Sequence, residues 1–477
     1  MNTSRLLLCR TVVLAALVAA CADTPTQPSP DAPQFSEVTD VAGTYLVRFN
    51  GGIPADFASR VFAFGGEVIF AHEGAGFAAV AGLIPSHAEL LGATSGIAGV
   101  DPDAYVELEQ PAFLELEAAE APASPSNPAG AFFYPRRQWN LTAIGAHTAW
   151  AAGHLGSANV KVGILDTGID YAHPDLAGRV DLALSRSFLS AAENARVQTA
   201  FPGAHPIADL HYHGTHVSST VVSNAFTNAG VTSGITLVGL KVCAPGVAPS
   251  WRGTCPTSGT LSAILYAADN GIPIINMSLG GSFNRRDASA AGGDSPSFLA
   301  TINQVFNYAY RKGTLVVVSA GNAAADMDHD GNNYKSYCTT PNVVCVSATG
   351  PTAGTLVGGF YQNVQNVDAL AGYSNYGRSS VTVAAPGGNF LPVWATCSKF
   401  SLPFAVCATG NFTLGASGTS MAAPHVAGVA ALIASSGVSG PAAIRARLQQ
   451  TADDLGQPGV DPAYGHGRVN AARAVGL

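Results

Sequence analysis

From residue 139 onward, short and almost wholly apolar runs alternate with longer stretches whose apolar positions recur every three to four residues. Residues 160–165, 235–242, 274–277, 315–319 and 343–347 are rich in Val, Ile and Leu and read as buried strands. Residues 261–269, 298–312, 421–435 and 442–450 carry helical spacing. Strands apolar on both faces, alternating with helices, predict an α/β fold with a mostly parallel sheet covered on both sides. Ligands of such sheets bind outside the carboxyl ends of the strands, so chemistry is expected there.

Residues 43–109 have a different rhythm. Strand-like runs at 44–49, 67–70, 76–80 and 98–108 are interleaved with helical patterns at 56–64 and 86–91. The order β-α-β-β-α-β predicts a small α+β unit of ferredoxin-like type. Residues 111–130 are rich in Ala, Pro and Glu without core periodicity, so 110–138 reads as a linker and cleavage zone.

Composition narrows the class. The chain has 477 residues, 47% hydrophobic but only 11% charged, apolar enough to offset its ordering entropy. Its net charge of −8 without a basic run argues against a nucleic-acid surface. At the N-terminus, Arg5 and Arg10 precede an apolar run over residues 12–20, too short to span a bilayer and suited to a signal peptide over 1–21. Val18-Ala19-Ala20-Cys21 resembles a bacterial lipobox, which implies lipidation of Cys21; ordinary cleavage nearby with Cys21 incidental is the alternative. The Pro-rich residues 22–42 then form a tether. A cell-envelope or extracellular location is expected, with membrane contact only through such an anchor.

Cysteine usage agrees with export. Setting aside Cys9 and Cys21 leaves six of the eight cysteines, in three near-neighbour pairs. Short loops favour Cys243–Cys255, Cys338–Cys345 and Cys397–Cys407 over the other pairings. Zinc is the rival, but no C-x-x-C occurs.

Three segments carry candidate chemistry. Strand 160–165 runs into Asp166-Thr167-Gly168-Ile169-Asp170, a carboxylate at the sheet edge. His213-Gly214-Thr215-His216-Val217 opens a small-residue helical run. Gly418-Thr419-Ser420-Met421-Ala422-Ala423-Pro424-His425-Val426 places a Ser at the start of a helix built of Ala, Gly and Val. There Ser420 meets unpaired N–H groups and the positive end of the dipole, which favour a developing anion. Pro424 has no N–H for the Ser420 carbonyl, so the local backbone is unusual.

Together, Asp166, His213 and Ser420 resemble the triad of the subtilisin-like serine proteases (subtilases), in that family's chain order. The resemblance covers about residues 139–477 and implies a subtilisin-like three-layer catalytic domain. It also implies that Asn322, in Val316-Val317-Val318-Ser319-Ala320-Gly321-Asn322, donates its amide to the oxyanion. Ser278, Leu279, Gly280 and Gly281, in Asn276-Met277-Ser278-Leu279-Gly280-Gly281, match the segment that pairs with extended substrate. Residues 43–109 resemble the family's inhibitory propeptide in length, position and strand order. The implied function is an exported endopeptidase made as a zymogen, with polypeptide substrates and its own propeptide as intramolecular inhibitor.

The remaining candidates weigh toward structure. His216, and Asp170, His173 and Asp175 after the aspartate, are expected to be structural, and His211 and His425 have no catalytic case. Asp326-Met327-Asp328-His329-Asp330-Gly331 sets Asp326, Asp328 and Asp330 at alternate positions like the first half of an EF-hand loop, but its twelfth position is Tyr337. The expectation is a structural calcium at most, with no cofactor required for the chemistry. Two rivals stand further off: a silent peptide-binding protein using the same groove, and a metal hydrolase using His211, His213 and His216.

Overall fold

A computed structural model describes residues 43–108, 113–118, 127–284, 295–335 and 337–477. The expected signal peptide, Cys21 and the tether lie outside the described residues, as does part of the expected processing region.

The N-terminal unit comprises β1 (Tyr45–Phe49), α1 (Phe57–Ala63), β2 (Glu67–His72), β3 (Phe77–Ala81), α2 (Pro85–Gly92) and β4 (Ile97–Pro102). Its strands lie in the order β2-β3-β1-β4, every neighbouring pair antiparallel. The two-residue side-chain period of β1 explains its nearly unbroken apolar run. Tyr45, Val47 and Phe49 pack with Phe57, Val61 and Leu91 of the unit's own helices. Leu46 points the other way and, with Phe77 and Ala79, joins the core beneath two helices of the larger domain, Thr257–Asp269 and Ser295–Lys312.

Two expectations need correction here. The strand expected over 98–108 is two strands: β4 ends at Pro102, and β5 (Tyr105–Glu107) pairs antiparallel with Gly253–Pro256 of the larger domain. The break is at Asp103, whose buried carboxylate accepts from the N–H groups of Ala104 (2.9 Å) and Ser258 (3.0 Å) and from the Ser258 hydroxyl. It thereby caps the start of the Thr257–Asp269 helix. The stretch expected to be featureless contains β6 (Phe113–Ala118), which pairs antiparallel with Phe412–Ser417. Both strands take their partners from far along the chain, and no local periodicity reports that.

The larger domain is built on an eight-stranded sheet. Its path runs Ala369–Leu370, Val344–Gly350, Leu315–Ser319, Ile274–Met277, β7 (Lys161–Asp166), Thr236–Lys241 and Arg186–Ser187, with Val383–Pro386 also on Val344–Gly350. All pairs are parallel except the short edge strand at 369–370. Alternate residues serve opposite layers. Val162, Ile164, Ile274 and Val317 join the core with the helices His213–Val221 and Thr419–Ser435, while Leu165, Ile275, Val316 and Val318 join that of Thr257–Asp269 and Ser295–Lys312. This is the three-layer α/β arrangement the pattern predicts. The disulfides are Cys243–Cys255, Cys338–Cys345 and Cys397–Cys407, the short-loop pairing.

Candidate active site

The parallel sheet sends its carboxyl ends to one edge, and the candidate residues gather there. Asp166 is the last residue of β7 and fully buried. His213 is the first residue of its helix, with Nδ1 2.8 Å from Asp166 Oδ1. The same carboxylate oxygen accepts from the Thr167 N–H at 2.7 Å. Nδ1 therefore carries the proton that it donates to Asp166, which leaves Nε2 as the basic nitrogen. Nε2 is buried and has no hydrogen-bond partner among the described residues. Burial by itself lowers the His213 pKa, but the Asp166 charge and hydrogen bond, helped by the charge of Asp209, outweigh it and raise the net value above 6.5.

Asp209 organises this pair, and the sequence reading did not single it out. One oxygen accepts from the Thr167 hydroxyl (2.8 Å) and the His211 N–H (3.0 Å); the other accepts from the N–H (2.9 Å) and hydroxyl (2.7 Å) of Thr215. It thus ties the residue after Asp166 to the first turn of the His213 helix. Gly214 must be glycine, since a Cβ there would stand 2.1 Å from the Gly168 carbonyl oxygen.

Ser420 is the second residue of the Thr419–Ser435 helix, where no preceding turn supplies a partner for its N–H. Pro424 lies in the same helix and cannot donate to the Ser420 carbonyl. The Ser278 hydroxyl supplies the missing bond at 2.8 Å, and the Ser420 hydroxyl donates in return to the Ser278 carbonyl at 3.1 Å. In this resting arrangement the Ser420 hydroxyl is turned to the backbone of 278 and not to His213. The reciprocal pair brings segment 278–281 to the nucleophile, with Leu279 buried beneath it.

Asn322 is oriented by the residue before Ser420. Its Oδ1 accepts from the N–H (2.8 Å) and hydroxyl (2.9 Å) of Thr419, so Nδ2 faces away and has no partner among the described residues. The Thr419 hydroxyl also accepts from the Gly321 N–H at 2.9 Å. Asn375, absent from the sequence reading, holds the loop: Oδ1 accepts from the N–H groups of Ala323 and Ala325, and Nδ2 donates to the Ala320 carbonyl. A Thr directly before the serine was the one local signal for this orientation.

The other candidates are committed elsewhere. His216 donates Nε2–H to the carbonyls of Val393 and Leu414, and burial lowers its pKa to about 3. His211 Nε2 bonds the Trp251 carbonyl at 3.0 Å, and burial lowers its pKa to about 3. His425 lies between Asn140 and the Met421 carbonyl. Asp170 accepts backbone N–H groups, from Ala172 and His173 on one oxygen and Lys399 on the other. Asp175 accepts from Thr227, Asn228 and Thr396.

Among the described residues no group of three or more His, Cys, Asp or Glu is arranged to hold a metal. The trio of the acidic loop does not fit a calcium site. Asp326 turns to His329 at 2.9 Å, and Asp328 to the N–H and hydroxyl of Ser379. Nor is any described helix long and apolar enough to cross a membrane.

A buried Asp–His pair, a serine at a helix N-terminus and an uncommitted amide, all at the carboxyl edge of a parallel sheet, define a site of the serine-hydrolase class. Comparison with known proteins gives the family. Residues 157–467 match the profile of the subtilase family, and the chain belongs to it. It is 31% identical over 330 residues to a thermophilic serine proteinase of Bacillus sp. strain AK1, covering 67% of this chain and 62% of that protein. It is 32% identical over 346 residues to thermitase of Thermoactinomyces vulgaris, covering 72% and 97%. In fold it resembles the epidermin leader peptide processing serine protease of Staphylococcus aureus, with a TM-score of 0.67 and 20% identity, covering 91% of this chain and 98% of that one.

Proposed function

We propose that this chain is an exported serine endopeptidase made as a zymogen, with Asp166, His213 and Ser420 as its triad. The observation that carries the reading is the Asp166–His213 bond of 2.8 Å with Nε2 left as an uncommitted base. Extended polypeptide pairs with segment 278–281 as an added strand. The Ser420 hydroxyl turns from the Ser278 carbonyl to His213, which removes its proton as Oγ attacks the substrate carbonyl carbon. Asp166 holds the tautomer and stabilises the imidazolium. Asn322 Nδ2 and the Ser420 N–H bind the oxyanion. His213 then passes its proton to the leaving amine as the C–N bond breaks. Water, deprotonated by the same imidazole, hydrolyses the acyl-enzyme.

The zymogen reading gains support from the course of the chain. β5 pairs with Gly253–Pro256, and β6 pairs with the strand that ends three residues before Ser420. We assign self-cleavage to the span between Glu107 and Phe113, which joins the strand paired with Gly253–Pro256 to the strand paired beside Ser420. Residues 43–107 then form the inhibitory propeptide, and lipidation at Cys21 is proposed on the lipobox resemblance alone.

The test is the intact mass of wild type and Ser420→Ala, produced without the signal sequence, together with labelling by a fluorophosphonate. Wild type is expected to lose everything ahead of a new N-terminus between residues 108 and 113 and to label, while the variant stays whole and unlabelled. A labelled serine other than Ser420, or equal trimming of both proteins, would refute the assignment.

A further inference from the structure

We infer that β6 is a specificity-determining wall on the leaving-group side of the site: it stays on the enzyme after processing and limits how far a substrate extends past its scissile bond. This rests on the protease reading above.

The pairing is extensive and placed close to the chemistry. Phe113 to Ala118 pair in unbroken register with Ser417 to Phe412, so β6 takes one edge of the strand that leads into Ser420. Val393–Thr396 takes the other. A peptide running past Ser420 in that direction therefore finds no open strand edge there.

The anchors of β6 all belong to the catalytic body. Glu117 pairs with Arg137, at 2.7 Å and 2.9 Å to its two oxygens, and the Arg137 side chain is only 3% exposed. The same guanidinium donates to the Gly359 carbonyl at 2.9 Å and lies over the rings of Trp394 and Tyr361. Leu116 packs against Tyr212, Leu414 and the Cys397–Cys407 disulfide, next to His213 in sequence. Among the described residues no anchor comes from the N-terminal unit, so a cut ahead of Phe113 leaves the strand in place. Among the described residues its outer edge carries no third partner strand, and Leu114 is 40% exposed. A long substrate must displace β6; one with a small leaving group need not.

The test compares two substrates sharing one acyl portion: a peptide p-nitroanilide, and a fluorogenic peptide continuing several residues past the scissile bond. Processed enzyme is assayed as wild type, as Glu117→Lys, which opposes Arg137, and as a full chain with a site-specific protease sequence inserted between 119 and 126. The last is folded, processed and then cut, with loss of β6 confirmed by mass. For both altered proteins the kcat/KM ratio of long peptide to nitroanilide is expected to rise about tenfold, since a tethered competitor at high effective concentration has been removed. Nitroanilide hydrolysis itself should stay within about twofold. An unchanged ratio after confirmed loss of β6 overturns the inference, as does a mature N-terminus beyond Ala118. If wild type neither hydrolyses the nitroanilide nor labels with fluorophosphonate, it is the protease reading that has failed, and this inference falls with it.

Discussion

Asn322 offers the sharpest separation of chemistry from scaffold, through two substitutions. Its Oδ1 holds two donors of Thr419, at 2.8 Å and 2.9 Å, while Nδ2 is unpaired among the described residues. In Asn322→Asp an oxygen still faces Thr419, but an acceptor replaces the amide where the oxyanion forms. Losing one such donor costs about 10²–10³ in kcat, or roughly 2.7–4 kcal/mol, a range measured in a subtilisin, and the carboxylate adds repulsion. Asn322→Ala loses the same donor and also strands the N–H and hydroxyl of Thr419. Each unsatisfied buried group costs about 1–3 kcal/mol, so the Ala variant alone should lose folding stability. The assay is kcat and KM on a peptide nitroanilide beside urea unfolding of each variant in a Ser420→Ala background, which prevents self-digestion. Both variants should lose kcat with KM little changed, and only Ala should lower the unfolding midpoint. An Asp variant with near-parental kcat would refute the oxyanion role.

Ser278→Ala removes the hydroxyl that pairs with the Ser420 carbonyl left open by Pro424, so stability should fall by about 1–3 kcal/mol in urea unfolding. His213 must be neutral to act as base and its pKa is raised, so kcat/KM should fall as pH drops, with its acid limb centred above 6.5; a limb at or below 6 would contradict the Asp166 and Asp209 influence. Burial raises the Asp103 pKa from 3.8 to about 6, so its proton is held more tightly when the N-terminal unit is docked. That contribution is fully present below about pH 4 and is lost as pH rises through about 6. Urea midpoints of Ser420→Ala should therefore fall from pH 4.5 to 7.5 (chosen to bracket about 6) by more than those of a chain that also carries Asp103→Asn. Replacing Cys243 and Cys255 by Ala opens a loop with a sequence separation of 12, worth about 3 kcal/mol in the chain-entropy account, readable by the same method.

What the sequence determined by itself was local. Each apolar run carries its own periodicity, so β7 and the helices around it could be located to within a few residues. Asp166, His213 and Ser420 each sit in a short motif whose residue types are legible without a partner. The short-loop cysteine pairing was legible for the same reason: its closure is a property of a few residues. The tertiary structure alone decided what depends on meeting across the chain. It turned the Asn322 amide through Thr419, laid the Ser420 hydroxyl on the carbonyl of Ser278, and recruited Asp209 and Asn375 to hold the two sides of the site. It also moved β5 and β6 out of an apparent strand end and linker into pairing with distant strands, and turned Asp326 and Asp328 toward separate partners. Periodicity reports only which face of a segment is buried. The partner a backbone edge or a polar atom finds is set by packing of the whole domain, and that information is not local.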